Sequence, residues 1–140
     1  MNVALDTNIL IEIRGGQPRA AKCATLVAIH LASGNRVLIS NVVYAELLAG
    51  AGTTPPALDA LLAQYGIRRH RSVHSSEWER AGVAFQGYAA RRRAGKAPPP
   101  RRILADFLIG AHAEAYADAL MTLNPSDFST DFPGLPLIVP

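Results

Sequence analysis

The chain begins MNVALDTNIL (residues 1–10), and this stretch decides how the rest can be arranged. Val3 to Leu5 form a short apolar run, Asp6 follows it, and an apolar pattern resumes at Ile9. This order predicts a strand, a tight polar turn and a helix start, with a carboxylate at the carboxyl end of the strand. In open α/β sheets, ligands bind in the crevice beyond those strand ends. An Asp at this place is equally a good helix N-cap, so its role depends on what else points into the crevice.

Length and composition predict one domain, spanning residues 1–140, with a substantial core. A chain of 140 residues that is 49% hydrophobic can bury such a core without disulfides or bound metal ions and is not a disordered tail. No apolar run approaches the ~18 residues of a membrane span. Asp6 has no basic residues before it, which argues against a signal peptide. The lone Cys23 cannot form an internal disulfide and is predicted to be core, so we expect a cytoplasmic protein.

The charge of the chain is strongly segregated. The net charge is only +3, yet residues 68–102 carry ten Arg or Lys and two acids, whereas the rest carries four and nine. A basic segment in an otherwise acidic domain suggests a polyanionic partner. A solvated helix face is the alternative, although it explains scattered arginines better than the cluster Arg91, Arg92 and Arg93.

Predicted strands and helices alternate along the whole chain. Strands are expected at 3–5, 36–40, 118–122 and 137–139, with a weak edge strand near 66–68. Helices are expected after Asp6, over 20–32, over 42–49, from Pro55, after Ser76 and from Arg101 to about Ala115. This alternation indicates a parallel sheet with helices on both faces.

Three local details follow from the same patterns. Asn41 is expected to cap the helix over 42–49. Ser76 and Glu79 have capping-box spacing, and the helix that follows is expected to bury Trp78, Ala81, Phe85 and Tyr88. The helix from Arg101 is expected to bury a stripe consisting of Ile103, Leu104, Phe107, Leu108 and Ala111.

Acidic, amide and hydroxyl side chains occur near the predicted carboxyl ends of the strands. They follow the first strand, lie in the helix after the second strand, or flank the fourth predicted strand: Asp6, Glu46, Asp106, Thr122, Asn124 and Asp127. Right-handed crossovers place the carboxyl ends of parallel strands at one edge, so these residues can share a crevice. Two plainer alternatives stay open: Glu46 as a solvent-facing helix residue, and Asp106 as a flanking acid paired with Arg102. Asp is a poor mid-helix residue, which favours the crevice for Asp106.

Converging carboxylates without Lys or Arg between them repel one another unless a divalent cation lies among them. An all-oxygen ligand set selects Mg²⁺ or Mn²⁺ over zinc. Such ions activate water and, in pairs, stabilise both the attacking and the leaving oxygen of a phosphodiester. The basic run would contact nucleic-acid phosphates without reading sequence, through Arg91, Arg92, Arg93, Lys96, Arg101 and Arg102.

Four motifs, in this order and spacing, resemble the PIN domain, and within it the VapC toxins of bacterial toxin–antitoxin pairs. They are Asp6-Thr7-Asn8 after the first strand, Glu46 within Ala45-Glu46-Leu47, Asp106 opening the run 106–113, and Thr122…Asn124…Asp127-Phe128. The resemblance implies a three-layer α/β/α fold with a mostly parallel five-stranded sheet. It also implies Mg²⁺- or Mn²⁺-dependent cleavage of RNA such as tRNA or rRNA, a cognate antitoxin as partner, and a homodimer.

The resemblance also assigns roles to single residues. Asp6, Glu46 and Asp106 match the metal-binding acids, and Thr7 and Asn8 match polar residues that brace the first acid, with Thr122 in support. Many members have Asp where Asn124 stands, which puts a second metal ion in doubt. Asp127 either compensates for the missing charge or only caps the following turn.

Two other function classes compete with a nuclease. A non-catalytic RNA-binding or partner-binding module could use the same fold, with Asn124 as a sign of lost activity. A phosphoaspartate receiver or a phosphatase also places an Asp after a first strand. The phosphatase pattern expects a second Asp where Asn8 stands, and the receiver pattern expects a late Lys, whereas no Lys follows Lys96.

Overall fold

The structure is a computed structural model that describes residues 1–98 and 102–140. These residues form five strands and seven helices. In chain order they are β1 (Asn2–Leu5), α1 (Thr7–Gly15), α2 (Ala20–Ala32), β2 (Arg36–Ile39), α3 (Asn41–Leu48), α4 (Pro55–Gln64), β3 (Arg68–Arg69), α5 (Ser75–Ala94), α6 (Ala105–Tyr116), β4 (Ala119–Met121), α7 (Ser126–Ser129) and β5 (Leu137–Ile138).

The sheet is parallel throughout, in the order β3-β2-β1-β4-β5. Strand β1 lies at its centre, where Val3 aligns with Val37 on one side and with Ala119 on the other. The side chains of β1 from Val3 to Leu5 are buried, as expected for a sheet covered on both faces. The α/β fold expected from the alternating pattern is confirmed.

The order of the strands explains the layers. The chain moves from β1 through β2 to β3 in one direction, then returns across the sheet to β4. Because parallel crossovers are right-handed, helices α1–α4 and helices α5–α6 lie on opposite faces. The buried core includes Cys23, which is a free cysteine, and the aromatic rings of Phe128 and Phe132.

Helix α3 is capped by a different residue from the one predicted. Ser40 follows β2 in an extended conformation, and its Oγ accepts a hydrogen bond from Val43 N at 3.2 Å. Asn41 is already the first helical residue, and its Oδ1 accepts from Arg69 Nε at 2.8 Å. The expectation that Asn41 is the cap was therefore wrong by one residue.

Helix α5 begins before the predicted capping box. Ser75 is its first residue, and Glu77 Oε1 accepts from His74 N at 2.9 Å, so Ser76 with Glu79 is not the box. The buried face carries Glu77, Ala81 and Ala84. Trp78 is the residue after Glu77, so its side chain points away from the buried face of the helix. It is 51% exposed, contrary to the prediction that it belongs to the core. Phe85 and Tyr88 are half-buried and pack against the core.

Helix α6 begins at Ala105, and Leu104 is extended. Arg102 to Leu104 are not helical, and Ile103 and Leu104 are each 37% exposed, so their predicted burial was wrong. The first residue of the predicted helix, Arg101, lies outside the described residues. As a consequence Asp106 falls in the first turn of α6, where the helix dipole favours a carboxylate.

None of the helices in the described part of the chain combines the length and apolarity needed to cross a membrane.

Candidate active site

Asp6 and Thr122 meet because β1 and β4 are neighbouring parallel strands that end at the same edge. Asp6 follows β1 and Thr122 follows β4, and Asp6 N donates to Met121 O at 3.0 Å. Thr122 is buried, and its Oγ1 donates to Asp6 Oδ2 at 2.7 Å. This edge is the place at which the sequence predicts the site.

The Asp6 carboxylate is held by side chains and not by helix capping. It stands at the N-cap position of α1 with an extended backbone, yet it makes no side-chain capping bond. Its Oδ2 also accepts from Asn8 Nδ2 at 2.6 Å, while Asn8 Oδ1 accepts from Leu123 N at 3.2 Å. Asn8 therefore links Asp6 to the segment after β4, and the plain N-cap interpretation of Asp6 does not describe its carboxylate.

Glu46 reaches the same neighbourhood from α3. Its Oε2 accepts a hydrogen bond from the hydroxyl of Thr7, the residue next to Asp6. Glu46 is exposed, as the plainer interpretation expects. Its carboxylate nevertheless lies near the carboxyl end of β1, because the hydrogen bond from Thr7 holds it there.

Asp6 and Asp106 lie in the electrostatic field of two further acids, Glu46 and Asp127. Burial, together with the negative charges of Asp6, Asp127 and Glu46, raises the pKa of Asp106 to about 6. Burial also raises the pKa of Asp6, against the hydrogen bond from Thr122, and the charges of Glu46 and Asp127 add to the rise. Across residues 1–98 and 102–140, no ion pair joins any of these acids to Lys, Arg or His. The suggested pair of Asp106 with Arg102 is thus not formed. The region in which these acids lie holds negative charge that no ion pair of the described residues compensates.

A divalent cation fits this site by charge and by donor chemistry, not by a preformed ligand cage. Oxygen donors with unbalanced negative charge are the groups that bind Mg²⁺ or Mn²⁺. However, within the described residues no three His, Cys, Asp or Glu side chains are grouped closely enough to hold one ion. Asp6, Glu46 and Asp106 therefore surround a common region without meeting at one point.

Asp127, and not Asn124, supplies the fourth charge near the site. Asn124 is exposed, and its backbone N donates to Thr122 Oγ1 at 3.0 Å. Asp127, in the first turn of α7, lines a cleft of about 280 Å³ together with Asp106 and Phe107. Its charge raises the pKa of Asp6 and of Asp106, which favours the interpretation that it compensates for the missing acid.

The predicted basic run divides into paired and exposed residues. Arg91 lines the acidic cleft, and its Nη2 lies 2.5 Å from Asp131 Oδ1. Arg92 Nε donates to Pro98 O at 3.0 Å. Three cations are exposed and make no ion pair or side-chain hydrogen bond with any described residue: Arg93, Lys96 and Arg102. The sixth member of the run, Arg101, lies outside the described residues.

Sequence reasoning missed Asp131, which lines the cleft and holds Arg91. The two residues are 40 positions apart, and no periodic pattern connects them. The sequence Phe132-Pro133-Gly134, which directly follows Asp131, predicts a turn. It does not show which side chain faces the cleft.

Comparison with known proteins agrees with this geometry. The family model described as PIN domain matches residues 3–130. Among solved structures, VapBC2 from Rickettsia felis bound to a DNA fragment from its promoter is similar at 22% identity and a TM-score of 0.60, covering 99% of this chain and 98% of that chain. DNA-bound VapBC from Salmonella typhimurium is similar at 18% identity and a TM-score of 0.54, with the same coverage of 99% and 98%. A search of curated proteins finds no match. Because the PIN model matches residues 3–130 and the five-stranded sheet is parallel as expected, the protein belongs to the PIN domain family.

Proposed function

We propose that this protein is a divalent-cation-dependent endoribonuclease, the toxin of a VapBC-type toxin–antitoxin pair. The observation that carries the proposal is a group of four acids, in which the charges of Glu46 and Asp127 raise the pKa of Asp6 and of Asp106, while no described cation pairs with any of the four. Membership of the PIN domain family supports the same chemistry, hydrolysis of a phosphodiester bond. Mg²⁺ and Mn²⁺ are the ions that the oxygen donors favour.

Asp6, Glu46 and Asp106 would hold the cation, with Asp127 as a further acid and Asn124 as a neutral oxygen donor. When bound, such an ion lowers the pKa of water and stabilises negative charge on phosphate oxygens. Neighbouring side chains orient two of these acids, Asp6 and Glu46, beforehand. Thr122 and Asn8 both donate to Asp6 Oδ2, so this carboxylate is oriented whether or not an ion is present.

The second acid is oriented through the first helix. Thr7 opens α1 directly after Asp6, and its hydroxyl donates to Glu46 Oε2. A shift of α3 relative to β1 would therefore break this bond, so the bond keeps Glu46 near Asp6. Such pre-organisation matters because small misplacements of catalytic groups reduce rates strongly.

Exposed basic side chains on either side of the α5–α6 connection would bind the RNA backbone. Arg93 and Lys96 lie at the end of α5 and just beyond it, and Arg102 lies shortly before α6. Contacts of this kind position a strand without reading its sequence. Arg91 is already bound to Asp131, so we assign it mainly to shaping the cleft.

A cognate antitoxin and a homodimer are part of the same proposal. Both similar solved structures are VapBC complexes, and a toxin needs a partner that restrains it. A substrate such as tRNA or rRNA would place the activity in the cytoplasm.

Cleavage of RNA by purified protein, with Mg²⁺ or Mn²⁺ and with EDTA, tests the proposal. We expect cleavage to require the ion and to be lost in Asp6→Asn and Glu46→Gln. Glu79→Gln is the matched control, because Glu79 is an exposed acid of α5 away from the cleft. Circular dichroism establishes that each variant is folded. Cleavage at the wild-type rate by folded Asp6→Asn, or cleavage unaffected by EDTA, would contradict the proposal.

A non-catalytic RNA-binding module is the second candidate. The open arrangement of the acids and the neutral Asn124 favour it, since no three acids of the described chain form a closed ligand set. This candidate predicts RNA binding that weakens steeply with salt, no cleavage in Mn²⁺, and unchanged binding in Asp6→Asn.

A further inference from the structure

A second cleft, of about 280 Å³, lies where β2 and β3 pass the carboxyl end of α6. Its lining is basic and includes Arg36, Arg68, Arg69 and His70, which we call the arginine cleft. Tyr116, the last residue of α6, also lines it. No Asp or Glu of the described chain contributes to the lining.

The register of the sheet brings these cations together. Leu38 on β2 aligns with Arg68 on β3. Alternate residues of a strand face the same side of a sheet, so Arg36 and Leu38 share a face with Arg68. His70 follows β3 on that same alternation. Arg36 and Arg68 are therefore neighbours because of how the edge strand pairs, whereas Arg69 starts from the opposite face.

Two of the arginines are available to a ligand. Arg36 and Arg68 are exposed and take part in no ion pair or side-chain hydrogen bond with the residues that the structure describes. Arg69 is committed, because its Nε donates to Asn41 Oδ1 and its guanidinium lies 3.7 Å from the Tyr44 ring centroid. His70 is held from one side, with Nδ1 at 3.1 Å from His112 Nε2.

Two acids that bond to residues lining the cleft are already occupied. Glu77 is buried, and its Oε1 accepts from the hydroxyl of Tyr116 and from His74 N, each at 2.9 Å. Asp118 Oδ2 accepts from Asn2 N at 2.6 Å. Neither acid pairs with Arg36 or Arg68.

We propose that the arginine cleft binds a phosphate group through Arg36 and Arg68. The planar guanidinium fork matches phosphate oxygens in two parallel hydrogen bonds, and an oxyanion between two unpaired guanidinium groups reduces their mutual repulsion. The phosphate has two sources with the same chemistry, the backbone of an RNA strand or a free phosphate.

An RNA strand is the favoured source because of where the cleft lies. Asp106 is at the start of α6 and Tyr116 at its end, and ten residues of helix span about 15 Å. The arginine cleft thus lies one helix length from the acids, within reach of the same strand. This choice of source rests on the proposed function, whereas the phosphate site itself does not.

Fluorescence anisotropy with a short single-stranded RNA, in EDTA to prevent cleavage, tests the RNA source. In Arg36→Gln/Arg68→Gln we expect the salt dependence of log K to fall by about 0.7, since the two arginines share one phosphate and each lost single-strand phosphate contact contributes about 0.7. That change is about 5-fold in affinity over a tenfold range of salt. The matched control is Arg19→Gln/Lys22→Gln, which removes two exposed charges from the region around the start of α2 and should change the slope little.

Inorganic phosphate is the second probe, followed by the NMR shifts of the arginine Nε–H groups. Saturable shifts at Arg36 and Arg68, with unchanged RNA binding in the double variant, would assign the cleft to a free phosphate. Equal losses of RNA binding in both double variants, together with no saturable phosphate shift, would overturn the proposal. The phosphate arm needs no RNA cleavage, so its result stands even if the protein proves not to be a nuclease.

Discussion

Gly110 offers a direct test of how α6 is fixed beside the acids. It lies one helical turn after Asp106, and a Cβ built on it would come within 2.3 Å of Phe132 Cε2 and 2.5 Å of Cδ2. Carbon atoms pack favourably at about 3.5–4.0 Å, so Gly110→Ala requires the ring or the helix to move. The Phe132 ring is 1% exposed and lies against the Arg80 guanidinium at 4.6 Å, which leaves it little room.

The expected loss follows from two opposing terms. Replacing a mid-helix Gly by Ala alone gains about 1 kcal/mol of helix stability. Overpacking a tight core costs about 1–3 kcal/mol and occasionally more, and contacts this short belong at the upper end. We therefore expect the free energy of unfolding to fall by about 1–2 kcal/mol, or about 3–8 °C in melting temperature for a domain of this size.

Thermal and urea unfolding of Gly110→Ala, compared with Gly82→Ala, measures this effect. Gly82 is an exposed residue of α5, and a Cβ there meets no atom within 4 Å. It should gain about the full 1 kcal/mol of helix propensity. Adding Phe132→Leu should recover part of the Gly110→Ala loss, because the two sites are in contact and their effects couple. If Gly110→Ala is as stable as Gly82→Ala, the close packing of α6 against Phe132 is refuted.

Three further predictions concern charge and exposure. Burial, aided by His70, lowers the pKa of His112 to about 4. The stability that the neutral imidazole contributes should therefore be complete above pH 6.5 and be lost as the pH falls towards 4, a loss of about 3 kcal/mol. The loss should be smaller in His112→Gln, and equal urea midpoints of the wild type across this pH range would contradict the prediction. Asp106→Asn should raise the free energy of unfolding without divalent ions by about 1 kcal/mol, because it removes a half-buried carboxyl with a raised pKa. Mn²⁺ should raise the melting temperature of the wild type and not that of the variant, and an equal rise in both would count against a cation at this site. Trp78 is 51% exposed, so Trp78→Phe should change the free energy of unfolding by less than about 0.5 kcal/mol. Acrylamide should quench the fluorescence of Trp78 in the folded wild type, and fluorescence that acrylamide does not quench would contradict this exposure.

The order of the elements could be predicted because each depends on local pattern. Apolar runs marked the strands, and a glycine suited to a left-handed turn, Gly34, follows the end of α2. The parallel topology then placed Asp6 and Thr122 at one edge, where the hydrogen bond between them is found.

Details that depend on the phase of a helix or on distant pairing could not be predicted. Ile103 and Leu104 continue an apolar stripe by spacing, yet the backbone is not helical there. Trp78 is large and apolar, but Glu77 takes the buried position because Tyr116 and His74 satisfy its carboxylate. Spacing alone shows neither partner, and it cannot show whether acids that share an edge also close around an ion.

The two-residue strand β3 limits how other chains can attach to this protein. It is an edge of the sheet, and both of its residues, Arg68 and Arg69, are charged. Short, charged edges discourage the backbone pairing through which sheets aggregate or accept an added strand. A protein that binds this domain is therefore not expected to add a strand beside β3, and that border of the sheet stays open to solvent.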